Sequence, residues 1–249
     1  MKIHTPTSFI KRKQTWLIIA LAVILAAFVG LWVVAGLQHA AIAKNVDKEY
    51  SDAKAAAKLI AKDSSASRDK RLVAIKTLST PREIQNCEGE WWNVWYGMVL
   101  PSAKQGVKDC ETKAKHLLAT AMAASRVNEY LEADVKVTKT LAVLKPATGS
   151  DTWQKTALSS AQSALRDIEA MAVTKDSKAL LVVSKDKVLA ITKAWGSLNE
   201  ASSKEDKTAY LDAQSKLIQS YADLGAISDV SDKQVEELVG ALQVEASKL

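Results

Sequence analysis

Between Cys87 and Cys110 the chain gathers the side chains best suited to chemistry. Glu88 and Glu90 are followed by Trp91, Trp92, Trp95 and Tyr96. On a helix that aromatic spacing (i, i+1, i+4, i+5) forms one broad face. Such flat surfaces stack on sugar rings, clasp peptides or anchor a protein partner. Two carboxyls beside them raise glycoside hydrolysis, which places a carboxyl on each side of the scissile bond. Positions i and i+2 of a helix point away from each other, however, and no second acid is marked elsewhere. The expectation is that the rings plug the core at a bend, with a partner or ligand surface and a membrane-interface belt as alternatives.

Other chemistries lack their residues. The only histidines are His4, His39 and His116. A metal cluster or a serine–histidine arrangement is therefore not expected. No phosphate-cradling glycine loop and no Gly-x-Ser-x-Gly turn occurs. The reading is of a protein that is not an enzyme, with no catalytic residues, no metal and no cofactor.

Cys87 and Cys110 are the two cysteines of the chain. In an oxidising compartment an even count predicts one disulfide, and this one stabilises by roughly 3 kcal/mol in the loop-entropy account. Which compartment they meet is decided near the N-terminus. Trp16 to Leu37, WLIIALAVILAAFVGLWVVAGL, holds no charge. As a helix it rises about 33 Å, enough for a hydrocarbon core of about 30 Å. Lys11, Arg12 and Lys13 precede it and no acidic residue occurs before Asp47. That asymmetry predicts a cytoplasmic N-terminus and an extracytoplasmic remainder at the plasma membrane. The alternative is a cleaved signal peptide and a secreted product, since Ala41-Ile42-Ala43 fits the cleavage pattern. Ala22, Ala26 and Gly30 form a small-residue stripe on which two membrane helices could pack as a homodimer.

The formal charge of +6 is mostly this topology. Four of the 34 basic residues lie before Leu37, which leaves 30 basic against 28 acidic beyond it. Such a balance gives no footprint for nucleic acid.

Beyond the apolar run the elements read as helices. Ala43, Val46, Tyr50, Ala53, Ala57 and Ile60 step by three and four, a seam that must pack on the chain itself or on a second copy. Residues 63–67 read as a hinge, and Arg68 to Leu78 as a short helix with Leu72, Ile75 and Leu78 on one side. Thr80-Pro81-Arg82-Glu83 reads as another helix start. The stretch 87–110 reads as a special loop or broken helix. From Asp109 to Lys145 a second seam runs through Leu117, Ala121, Ala124, Asn128, Leu131, Val135, Thr138 and Ala142. Four helices follow residues 145–151, the third started by a capping box at Ser202–Glu205 and the fourth by Ser231–Gln234.

The predicted organisation is a basic cytoplasmic tail (1–15), a transmembrane signal-anchor helix (16–37), a helical stalk with the disulfide region (38–145) and a four-helix region (146–249). The fold class is all-α: a transmembrane helix continuing into an extracytoplasmic helical bundle with one disulfide. The expected role is a binding, scaffolding or envelope-assembly module with a protein partner outside the cytoplasm. An envelope enzyme using the tryptophan face, and an oligomeric coiled-coil spacer or accessory sensor without its own cytoplasmic output domain, are the other readings.

Overall fold

The computed structural model describes residues 7–62, 64–80, 87, 101–144 and 151–249. Every described element is an α-helix, and no strand occurs among the described residues. In order they are α1 (Thr7–Ile60), α2 (Arg68–Ser79), α3 (Pro101–Leu141), α4 (Asp151–Glu169), α5 (Lys178–Ser203), α6 (Lys207–Ala222) and α7 (Gly225–Ala246). The chain divides into two compact units, with the divisions falling inside α1 after Ala55 and inside α3 after Leu118.

In the first unit, α1 begins before the apolar run and continues past it without a break, as the absence of Gly–Pro punctuation after Leu37 predicts. It is long and apolar enough to cross a membrane. Every residue from Ile19 to Val34 is exposed, whereas Ala35 is buried. Beyond it the seam closes: Val46 and Ala53 are buried and Ala43 and Tyr50 half-buried.

In the second unit α4, α5 and α6 pack around Trp195, which is 1% exposed. Ala157 and Ala161 of α4, Ile191 and Leu198 of α5 and Leu217 of α6 surround it. The indole Nε1–H donates to the Tyr221 hydroxyl at 3.2 Å, so burying the ring leaves no orphan donor. Ala57 and Ile60, the end of the α1 seam, are buried in this unit, and Gln243 Nε2 of α7 donates to the Ile60 carbonyl at 2.7 Å. That side chain caps a helix end whose carbonyls have no intrahelical donor. In α2, Ala74, Ile75 and Leu78 form the buried face, while Leu72 turns outward.

Three helix starts differ from expectation. α3 begins at Pro101 rather than near Asp109, so Cys110 sits on a helix and not in a loop. Proline fits there because a first-turn N–H has no intrahelical partner. Ser202 and Ser203 belong to the last turn of α5, and α6 is capped by Asp206, whose carboxylate accepts from Thr208 N (3.1 Å) and Ala209 N (2.9 Å). Ser231 lies inside α7, which starts six residues earlier at Gly225. Its hydroxyl donates to Asp134 Oδ1 of α3 at 2.7 Å.

Candidate functional site

Two places combine defined geometry with chemical character, one in each unit. The first surrounds the disulfide. Cys87 and Cys110 are bonded and both buried. With Gly36, His39, Ala40 and Ala43 of α1 and Gly106 and Val107 of α3 they line a cavity of about 240 Å³. Gly36, Ala40 and Ala43 are small, and a Cβ added at Gly106 meets nothing within 4 Å, which leaves the cavity open.

Just beyond, Lys113 Nζ donates to Asp47 Oδ1 at 2.5 Å and sits 5.9 Å from the centroid of the Tyr50 ring. Lys54 approaches the same ring at 5.9 Å. Both cations are near enough for an attraction to the ring face. The Asp47 hydrogen bond raises the Lys113 ammonium above its ordinary range by favouring its charged form. Positions 106, 110 and 113 of α3 thus meet α1 at the same three- and four-residue steps as the α1 seam. That part of the seam is occupied within the chain.

The second place is a groove of about 480 Å³ between α2 and α3. Its apolar lining is Leu72, Val73 and Ile75 with Leu131 and Val135; Lys76, Lys136 and Lys139 stand on its rim. Asn128 Nδ2 donates to Glu132 Oε1 at 2.9 Å along one edge. A second groove of about 450 Å³ shares Glu132 and Lys136 with the first and adds Glu129 and Asp167, so its lining is the more acidic of the two.

The second unit is also tied by polar contacts. Arg126 of α3 makes a two-pronged contact to Asp176, Nε to Oδ2 at 2.8 Å and Nη2 to Oδ1 at 2.7 Å. That contact holds the Asp176 carboxyl below the usual carboxylate range and raises Arg126. Tyr130 is fully buried, and burial pushes its phenol up. Thr174 and Ser177 each accept the other's backbone N–H, at 3.1 and 3.0 Å, fixing the turn into α5.

Of the residues singled out from sequence, Cys87 and Cys110 are joined as expected. Trp91, Trp92, Trp95 and Tyr96, together with Glu88 and Glu90, lie outside the described residues. So does the helix start at Pro81–Glu83. Ala22, Ala26 and Gly30 are exposed on α1, and a Cβ added at Gly30 meets nothing within 4 Å. Lys11, Arg12 and Lys13 fall in the first part of α1. Among the described residues no group of three or more His, Cys, Asp or Glu is placed to hold a metal.

The α2–α3 groove was half visible in the sequence. The second seam is buried at Leu117 and Ala124, but the buried stripe then passes to Val127, Tyr130 and Val137. Asn128, Leu131 and Val135 are left lining the groove. The missed signal was the second apolar stripe at Val127, Tyr130 and Val137, one residue away from the seam.

Comparison with known proteins gives no relative: no protein-family model, no curated protein and no solved structure matches the chain.

Proposed function

We propose that this protein is a single-pass membrane protein whose extracytoplasmic helical bundle serves as a binding or scaffolding module at the cell envelope. The observation that carries the reading is the run of exposed apolar side chains on α1. Ile19, Leu21, Ile24, Leu25, Phe28 and Leu31 are each about half exposed or more, on an α-helix that the rest of the chain leaves bare. An apolar surface of that extent on every side of a helix is stable in lipid and not in water. Its backbone groups are satisfied within the helix, as a spanning segment requires.

Two further features support the orientation. Lys11, Arg12 and Lys13 precede the span and acidic residues do not, which favours a cytoplasmic N-terminus. The disulfide follows the span in the chain, and an N-terminus held inside would set it in an oxidising compartment, where such a bond persists. A binding role is favoured by the α2–α3 groove, where Leu72, Val73 and Val135 are exposed. Of the other readings, an α1 stalk that self-associates would need the seam at Val46 and Ala53, and those side chains are already buried.

The test uses the full chain with an N-terminal epitope tag, expressed in membranes. Alkaline carbonate extraction should leave a tagged full-length species in the membrane pellet, and in-membrane crosslinking should give a discrete complex with a second protein. A soluble, untagged product shortened at Ala43 would overturn the anchor. Crosslinked species containing this chain alone would overturn the binding-module reading.

A further inference from the structure

We propose that the groove between α2 and α3 is the docking site for an acidic, amphipathic helix of the partner protein; this rests on the binding-module reading above and names its surface and ligand class. Three observations carry it.

The first is the period of the floor. On α3 the groove takes Asn128, Leu131 and Val135, with Lys139 beyond them. Those steps of three and four are the ones a helix offers to another helix. One face of α3 satisfies that pattern inside the chain through Val127, Tyr130 and Val137. The neighbouring face carries it into solvent, where Val135 is 49% and Val73 of α2 66% exposed. Two helices with an open apolar trough between them are completed by a third laid along it. From Asn128 to Lys139 the floor spans about 17 Å, which matches an incoming helix of about 12 residues.

The second is charge. Lys76 of α2 and Lys136 and Lys139 of α3 line the rim, and among the described residues none of them is in an ion pair. Glu132 is the one acid on the same rim and keeps its charge while accepting from Asn128, so the lining carries three cations against one anion. A helix entering with glutamates or aspartates beside its apolar stripe meets three cations. A basic one is repelled by like charge.

The third is chain economy within the second unit. Leu72 and Val73 are exposed apolar residues on a twelve-residue helix whose buried positions are Ala74, Ile75 and Leu78, with Ile75 at the base of the groove. A short amphipathic helix has no internal need for that second apolar edge.

The experiment uses the full chain in lipid nanodiscs and three fluorescent synthetic peptides read by anisotropy. One is a helical 14-mer with leucines at three- and four-residue steps flanked by glutamates. The second has lysines in place of the glutamates. The third keeps the glutamates and scrambles the leucines. The first should bind about tenfold or more tightly than either of the others, a ratio equal to about 1.4 kcal/mol per decade. In the variant Lys76→Glu/Lys136→Glu/Lys139→Glu the preference should invert toward the lysine peptide, which a misfolded protein would not do. Equal binding of the scrambled peptide, or an unchanged preference in the reversed variant, overturns the proposal. So does failure of the first peptide to bind. A photocrosslinking residue at Val135 in native membranes should attach to an acidic helical segment of another protein. Attachment to phospholipid or to a second copy of this chain overturns it. Carbonate extraction, the tag and the in-membrane crosslink read the anchored-module proposal separately, so failure of the peptide assay leaves that proposal standing, and the two failures are told apart.

Discussion

The two units of this chain are held together by different physics. In the first, among the described residues, α1 and α3 share the Asp47–Lys113 ion pair and a cavity lined by small residues, and the disulfide ties α3 to Cys87. Gly36, Ala40 and Ala43 are small side chains, and Cys87–Cys110 adds a covalent constraint beside them. In the second, a tryptophan core does the same work without a crosslink, with Trp195 enclosed by three helices and its N–H satisfied by Tyr221. A unit whose long helix leaves its apolar side chains exposed from Ile19 to Val34 has less core of its own to hold it than one that encloses a tryptophan.

That contrast can be broken, most forcefully at Trp195. Trp195→Ala should cost about 3–5 kcal/mol, seen as a lower urea midpoint for the helical signal, because it empties the centre of α4–α6. Hydrogen exchange at residues 36–50 should stay close to wild type. Replacing both cysteines by serine should do the converse. About 3 kcal/mol is lost from the first unit, read as faster exchange at 36–50 and 104–113, with little change around Trp195. If either substitution loosens both units equally, the distinction between them fails.

Smaller effects sharpen it within the second unit. Asp206→Ala removes the acceptor of two N-terminal N–H groups of α6 and should cost about 1 kcal/mol in thermal unfolding. The Arg126–Asp176 contact predicts an acid dependence. Because the folded carboxyl is held low, its contribution is complete above the unfolded value of about 3.9 and is lost as pH falls through the folded one. Asp176→Asn should therefore flatten the fall in stability below about pH 4, and its cost at neutral pH should be about 1 kcal/mol. Glu205 has φ +53°, the left-handed region, at the end of α5. Glu205→Gly should stabilise the second unit by about 0.5 kcal/mol, visible as a small rise in its melting temperature.

How much of this was legible in the sequence depends on whether the signal was local. The apolar run of α1, the seam through Val46, Ala53 and Ile60, and the pairing of two lone cysteines are carried by neighbouring residues or simple counts, and the structure has all three. Caps were read less well. Ser202 and Ser231 both match a helix-start pattern, yet a serine stabilises a cap only if its own backbone leaves the helix. At Ser202 the helix runs on to Ser203, with Glu205 making the reversal and Asp206 the cap. At Ser231 the hydroxyl is taken by Asp134, 97 residues away, a contact no local pattern carries. The α2–α3 groove fails for the same reason: Leu131 and Val135 carry core periodicity, and only the position of Val127 and Tyr130 on the true inner face shows them to be surplus.

We propose that α1 anchors the chain with its helical domain outside the cytoplasm. It is tested most directly by labelling intact cells with a membrane-impermeant maleimide under non-reducing conditions. Cys87 and Cys110 are silent there because they are bonded to each other. Lys207→Cys, at the exposed start of α6, should label in intact cells, and Ser8→Cys only after the membrane is permeabilised. Labelling of residue 8 from outside, with residue 207 protected until permeabilisation, would contradict it.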